Sequence, residues 1–195
     1  RLAAISKIEG VYVPSLYERE IDPKSGRVFV KKPKSPEYPF PVSRRIIADL
    51  EKFAFPLKPV IPNHEIVHDR FSYEIARGCN VGCRFCEAGF YYRPVRNRSR
   101  TTVMDDLIEV ERTTGYDGAS LLSLSTGDYP RVDSLLMEIK ETFGTEDYTL
   151  TLPSLRVTSL KPEILDSFSK KKKMAFTIAP EAGSQRLRNV INKKI

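Results

Sequence analysis

Eight residues hold every cysteine of the chain: Cys79-Asn80-Val81-Gly82-Cys83-Arg84-Phe85-Cys86, spaced C-x3-C-x2-C. An odd number of thiols this close cannot form a disulfide framework, and so short a loop would strain even one bridge. Soft sulfur ligands at this density favour zinc or an iron–sulfur cluster over any hard cation. Zinc would need a fourth ligand, for which His64 and His68 are the only histidines. Structural zinc is normally held by paired C-x2-4-C or Cys/His units rather than by this spacing. On a cubane [4Fe–4S] cluster, three thiolates leave one iron without a protein ligand, and that iron can bind a small molecule.

The cysteine loop sits between two readable segments. Residues 71–76 alternate as a strand does and stop at Arg77-Gly78, directly before Cys79. A helix is predicted to open at Thr102, with Asp105 completing a capping box. It carries Val103, Leu107, Val110 and Thr114 on one face and stops at Gly115. A buried-type strand follows over 119–124, a second helix over 130–143 ended by Gly144, and a third strand over 148–152. Pro162 begins a third helix to about Ser169, residues 174–178 make a fourth strand, and Ser184 caps a last helix. This alternation implies an α/β fold with a parallel sheet and right-handed crossovers. It puts the cysteine loop at the C-terminal end of the first strand, the end at which barrels of β–α units build their active sites.

Residues 1–70 read differently. Nine of the 14 prolines fall in the first 62 residues, which rules out long regular helix. Residues 11–13 and 27–31 have strand character, and Asp22-Pro23-Lys24-Ser25-Gly26 between them is turn chemistry, so a hairpin with a long loop is expected. Residues 43–53 fit a short helix or a strand equally well. The expected organisation is a Pro-rich hairpin and linker module over 1–70 and a core domain over 71–195. His64 and His68 fall in the linker, where solvent-facing histidines are the ordinary outcome.

The string EIARGCNVGCRFCEAGFYYRPVRNRSR, with aromatic Phe85 just before the third cysteine, resembles the signature of the radical S-adenosylmethionine (SAM) enzymes. Within that superfamily it resembles an uncharacterised branch whose core usually follows a cobalamin-binding-like domain. The resemblance implies an open (β/α) partial barrel of six units, of which four are present here. The core is thus expected to be truncated after its fourth unit, and the chain, which starts at Arg1 without a methionine, to be a segment of a longer protein. It also implies a [4Fe–4S] cluster on Cys79, Cys83 and Cys86, whose open iron chelates the amino and carboxylate groups of SAM. One electron then cleaves the sulfonium C–S bond, and the resulting 5′-deoxyadenosyl radical takes a hydrogen atom from a substrate. The cofactor carries that chemistry, and the protein orients it.

The same resemblance suggests which residues hold SAM. Phe85 would lie beside the adenine. Ser125-Thr126-Gly127-Asp128 stands where the superfamily has a Gly-Gly-Glu-Pro-like loop for the SAM amino group, and departs from it by keeping one glycine and replacing Glu with Asp. Ser154 and Arg156 follow the third strand as candidate polar partners. Glu181 follows the fourth as the candidate for the ribose hydroxyls, since a carboxylate can accept from two O–H groups. Lys193 occupies the position of a basic residue that meets the SAM carboxylate in one branch.

The remaining composition narrows the setting. The chain has 41% hydrophobic and 29% charged residues over 195 positions, an ordinary globular balance rather than that of a disordered chain. No apolar run is long enough to span a membrane, and no membrane partner is expected. Free thiols beside an oxygen-sensitive cluster suit a reducing cytoplasm. The net charge of +7 is compatible with RNA or another anionic substrate; the arginines at 93, 96, 98 and 100 trail the cysteine loop and could reach such a partner, with a solvated loop the simpler reading. A reductant such as flavodoxin or ferredoxin would supply the electron. Two other readings stay open: a methylthiotransferase-like RNA or protein modifier, against which stands the lack of a second cysteine triad, and a catalytically incompetent scaffold or interaction module.

Overall fold

In the computed structural model, the described residues are 1–64, 66–144, 148–156, 161–162 and 174–193. They form two compact units, Arg1–Ala48 and Asp49–Ile195. The first opens on a short helix, α1 (Leu2–Ile5), and is built around an antiparallel hairpin of β1 (Tyr17–Ile21) and β2 (Val28–Pro33). The turn is the one expected. The Asp22 carboxylate accepts from Lys24 N at 3.0 Å and from the Ser25 hydroxyl, while Gly26 N donates to Asp22 O at 2.8 Å. The first strand, however, is not 11–13. A turn held this tightly needs strands that abut it, and Pro14–Leu16 is a 3-10 turn that separates 11–13 from the hairpin. Residues 43–53 are neither strand nor α-helix, apart from a single 3-10 turn at Leu50–Lys52.

The second unit is a mixed α/β structure with a parallel sheet. Strands β3 (Phe71–Glu74), β6 (Gly118–Leu122), β7 (Thr149–Leu155) and β8 (Met174–Ile178) are neighbours in that order, all parallel. Two further strands, β4 (Ala76–Arg77) and β5 (Arg96–Asn97), pair with each other, antiparallel. A short α2 (Ala88–Tyr91) lies between them in sequence. Helix α3 (Arg100–Thr114) links β5 to β6, α4 (Val132–Phe143) links β6 to β7, and α5 (Gln185–Val190) follows β8. The expected third helix, apart from its start at Pro162, lies outside the described residues.

The core lies between the sheet and the two long helices. Val103, Met104, Leu107 and Val110 of α3 and Val132, Leu135, Leu136 and Ile139 of α4 are buried against Tyr73, Leu121, Leu150 and Leu152 of the strands. These are the i, i+3, i+4 positions of two helices, and the strand residues they meet share one face of the sheet by the pairings of Tyr73 with Leu121 and of Ala119 with Leu150. Gly115 ends α3 in the left-handed conformation at φ 73°. Two boundaries differ from expectation. Helix α3 starts one turn earlier, with Ser99 as its cap. The Ser99 hydroxyl accepts from Thr102 N at 3.1 Å, and the Glu51 carboxylate, from far away in sequence, takes the Ser99 N–H and the Thr102 hydroxyl. It does what Asp105 was expected to do. Strand β7 runs on through Pro153 and Ser154 to Leu155, with a register shift against β8 between Leu152 and Leu155. Proline has no N–H for the ladder, and an extra residue at that point accommodates it.

A buried arginine ties this unit together. Arg98 is 5% exposed; its guanidinium donates to Leu50 O at 3.0 Å and Phe53 O at 3.1 Å and lies over the rings of Phe55 and Tyr73 at 5.7 and 5.6 Å. Its own carbonyl accepts from the Tyr129 hydroxyl at 2.8 Å. Replacing Arg98 with Ala should cost about 2–4 kcal/mol in urea denaturation, since two charge-assisted bonds are lost and two carbonyls are stranded. Arg98→Lys should recover only part of that, because an ammonium cannot reproduce the fork.

Candidate cluster and cofactor site

The cysteine loop is an excursion between Ile75 and Arg98. Its base is closed by Arg98 N donating to Ile75 O at 2.9 Å and by the β4–β5 pair. The chain enters the loop at Gly78, with φ 94°, a region side chains avoid. A Cβ there would stand 2.5 Å from the Tyr92 carbonyl and 2.7 Å from that of Pro94. The position is therefore restricted to glycine by both conformation and space.

The three cysteines follow, all partly exposed and none in a disulfide. Cys79 Sγ accepts Val81 N at 3.4 Å, Cys86 Sγ accepts Gly89 N at 3.3 Å, and Cys86 N donates to Cys83 O at 3.1 Å. Burial pushes the Cys83 thiol up, the positive Lys193 opposes that, and the neighbouring Cys79 and Cys86 push it up further. Ligation by an electrophilic metal would displace that proton. Among the described residues, no three or more His, Cys, Asp or Glu side chains converge to hold one metal ion. His68, offered above as a fourth zinc ligand, meets the Arg70 guanidinium at 2.9 Å instead. A cubane puts each thiolate on a different iron, so its ligands need not meet at a point. Three soft sulfurs on one loop, two of them receiving backbone N–H groups, are a donor set that fits such a cluster.

Beside the loop, at the C-terminal ends of β6 and β7, lies a cleft of about 410 Å³. Cys79, Asn97, Ser125, Asp128 and Arg156 line it, together with Gly78 and Tyr129. The 3-10 turn Thr126–Asp128 shapes one wall. Asp128 accepts from the Ser125 hydroxyl at 2.7 Å and from the Arg156 guanidinium. Arg156 is thus the partner of Asp128 rather than a lone surface charge. Two buried polar atoms of this lining, Asn97 Oδ1 and Arg156 Nε, have no hydrogen-bond partner among the described residues. An acceptor and a donor left open in one cleft suit a polar ligand such as an amino-acid moiety.

The other candidates are placed differently. Thr126 is fully buried, with its hydroxyl 3.0 Å from that of Ser123 and donating to Leu121 O at 3.3 Å, so it braces the turn from below. Gly127 lies within that turn. The Ser154 hydroxyl donates to Leu124 O at 2.9 Å. Phe85 is half exposed and outside the cleft lining. Glu181 and Lys193 pair with each other at 3.4 Å. The four arginines that trail the loop each have a separate partner. Arg98 is buried, Arg100 pairs with Glu138 at 3.1 Å, and Arg96 donates to Tyr92 O at 2.8 Å. Arg93 lies 4.6 Å over the Phe90 ring and donates to Cys79 O at 3.3 Å.

The radical SAM superfamily profile matches residues 73–195, which takes in the cysteine loop, the cleft and α5. The chain belongs to the radical SAM superfamily. Members of this superfamily typically use a [4Fe–4S] cluster and SAM, together with a reductant and a substrate. Over 125 residues the chain is 34% identical to the uncharacterized protein MJ0966 of Methanocaldococcus jannaschii. The match covers 64% of this radical SAM chain and 27% of that relative, so the chain spans about a quarter of the relative's length. Among the described residues, no helix is long and apolar enough to cross a membrane.

Sequence reasoning missed Asn97 and Asn192. Asn97 was hidden in the arginine-rich run after the loop, with no motif to mark it. Asn192 donates to Val81 O at 3.2 Å and to Gly82 O at 2.8 Å, contacts between segments about 110 residues apart. An asparagine directly after a short helix was the one available signal, and it reads as an ordinary helix end.

Gly78→Ala should lower stability by roughly 1–3 kcal/mol, the usual cost of forcing a side chain into a disfavoured backbone region. It should also open the loop to protease cleavage between 79 and 93 while leaving the circular dichroism of the sheet unchanged. Wild-type cleavage kinetics in the variant would show that the carbonyls of Tyr92 and Pro94 give way freely.

Proposed function

We propose that this chain is the cofactor-binding core of a radical SAM enzyme. Cys79, Cys83 and Cys86 hold a [4Fe–4S] cluster, and the cleft between the cysteine loop and the ends of β6 and β7 receives SAM. The observation that supports this most is the single edge on which these parts meet. The cysteine loop and the polar cleft both lie at the C-terminal ends of neighbouring parallel strands, with Cys79 itself in the cleft lining. When bound, cluster and SAM together supply a one-electron cleavage of a sulfonium C–S bond and the abstraction of a substrate hydrogen atom.

The chain's own residues bind and orient. Asp128, held by Ser125 and Arg156, presents a fixed carboxylate for the SAM amino group, and Thr126 and Gly127 set the turn that carries it. Asn97 Oδ1 and Arg156 Nε offer the open acceptor and donor. Ser154 stiffens the cleft wall through Leu124. Glu181 and Lys193 exchange their mutual pair for the ribose hydroxyls and the SAM carboxylate, respectively. Phe85, already exposed, turns to the adenine. In this reading the four-stranded sheet is part of a (β/α) partial barrel, residues 71–195 are its core and 1–70 an accompanying module. The setting is a reducing cytoplasm, with flavodoxin or ferredoxin as electron donor, RNA or another anionic molecule as substrate, and a cobalamin-binding-like domain ahead of the core in the whole protein.

Anaerobic reconstitution with iron and sulfide tests this. The wild-type chain should take up about four irons with a sulfur-to-iron charge-transfer band. Cys83→Ala should lose that band while keeping the sheet's circular dichroism. A wild-type chain that binds neither iron nor sulfide would overturn the reading, and full iron content in Cys83→Ala would sink the three-thiolate assignment.

A further inference from the structure

The end of α5 is docked on the cysteine loop by a set of contacts that the proposed chemistry does not use. Helix α5 closes with two backbone bonds, Lys193 N to Arg188 O at 2.8 Å and Asn192 N to Asn189 O at 3.1 Å. That is the paired arrangement in which the residue after the cap is left-handed, and Asn192 is left-handed at φ 56°. Asparagine tolerates this region better than most residues. The turn aims its side-chain amide at the loop, where one nitrogen donates to two successive carbonyls, Val81 O at 3.2 Å and Gly82 O at 2.8 Å. Next to it, Arg84 N donates to Ile191 O at 2.9 Å, and the Arg84 guanidinium donates to Val190 O. Residues 190–192 therefore grip residues 81–84, the stretch between the first two cysteines and just past the second.

We propose that Asn192 is a positioning residue: its forked amide fixes the Val81-Gly82 peptide pair and so sets where Cys83 stands relative to Cys79. Two carbonyls in a row, held by one planar amide, lose the freedom to rotate about the bonds between them. Gly82, at φ 73°, is the one residue of that pair whose backbone would otherwise swing widely. The amide acts through the loop backbone and touches no sulfur. Its effect is on loop geometry before any ligand arrives.

The test separates the side chain from the backbone turn. Asn192→Gly keeps the left-handed turn and removes the fork; Asn192→Asp keeps a side chain suited to the turn but sets a carboxylate against two carbonyls. In the metal-free chain, hydrogen–deuterium exchange of the amides at 81–84 should rise about tenfold in both variants, with exchange in α3 unchanged. After reconstitution, the electron paramagnetic resonance signal of the reduced cluster should broaden or shift in both variants. Exchange and spectrum at wild-type values in both would overturn the proposal and leave Asn192 a helix end. Global unfolding of both would overturn it as well, since bracing calls for a local change. The exchange arm needs no cluster. It can therefore fail while the proposed function stands, and it can succeed even if the wild-type chain takes up no iron.

Discussion

Everything at the site depends on where the cysteine excursion is anchored, and the anchor is Arg98. Its N–H closes the base of the loop on Ile75, and its guanidinium reaches back to Leu50 and Phe53. Its carbonyl takes the hydroxyl of Tyr129, which also lines the cleft. One residue thus connects the stem of the loop, the segment ahead of the sheet and the wall that faces the cysteines. A guanidinium this buried is costly unless it is hydrogen-bonded. Placing it here fixes three backbone segments in a way that an apolar residue of similar volume cannot, because only a donor fork specifies two carbonyl positions at once.

The parallel sheet converts that anchor into a working edge. With β3, β6 and β7 parallel and joined by helices, their C-terminal ends fall on one side. The loop after β3, the turn after β6 and the end of β7 are then neighbours without further instruction. The irregularity in β7 sharpens this. Its extra residue around Pro153 carries the strand past the expected end, so that Ser154 meets Leu124 and Arg156 meets Asp128. An ordinary strand end at 152 would have left both residues in a loop of their own.

What could be read in the sequence was whatever is encoded locally. The cysteine spacing, the alternation of 71–76, the apolar stripes of α3 and α4, and the stops at Gly115 and Gly144 all follow from residues a few positions apart. What could not be read depends on distant partners. Thr102 looked like a cap because Asp105 stood three residues on. The acceptor that completes the cap is Glu51, and it moves the start of the helix back to Ser99. The arginine run could have reached an anion or lain in solvent, but each arginine is taken by a different partner. Arg98 in particular is drawn into the core by Phe55 and Tyr73. Residues 11–13 had strand propensity but no partner within reach of the turn. The grip of Asn192 on Val81 and Gly82 spans more than a hundred residues and leaves no periodic trace.

The loop itself contributes little to its own order. Between Cys79 and Cys86 no side chain is buried, so the hydrophobic effect that holds β3 and α3 does not act there. What remains are hydrogen bonds of about 1 kcal/mol each, from Asn192, Arg84 and Arg93 and from the loop's own N–H groups of Val81, Cys86 and Gly89. A segment held mainly by hydrogen bonds rather than by buried apolar surface is the kind that local opening draws on. Anything held by the three thiolates in the closed loop stabilises that loop by mass action. Because the closed loop is also the surface on which residues 190–192 dock, a ligand that favours the closed loop would favour that docking to the same extent. Under the proposed reading, occupation of the thiolates would tighten the docking of α5, and a docked α5 would raise affinity at the thiolates. Lys193 leaves the helix next to Asn192 and reaches both Glu181 and the field of Cys83.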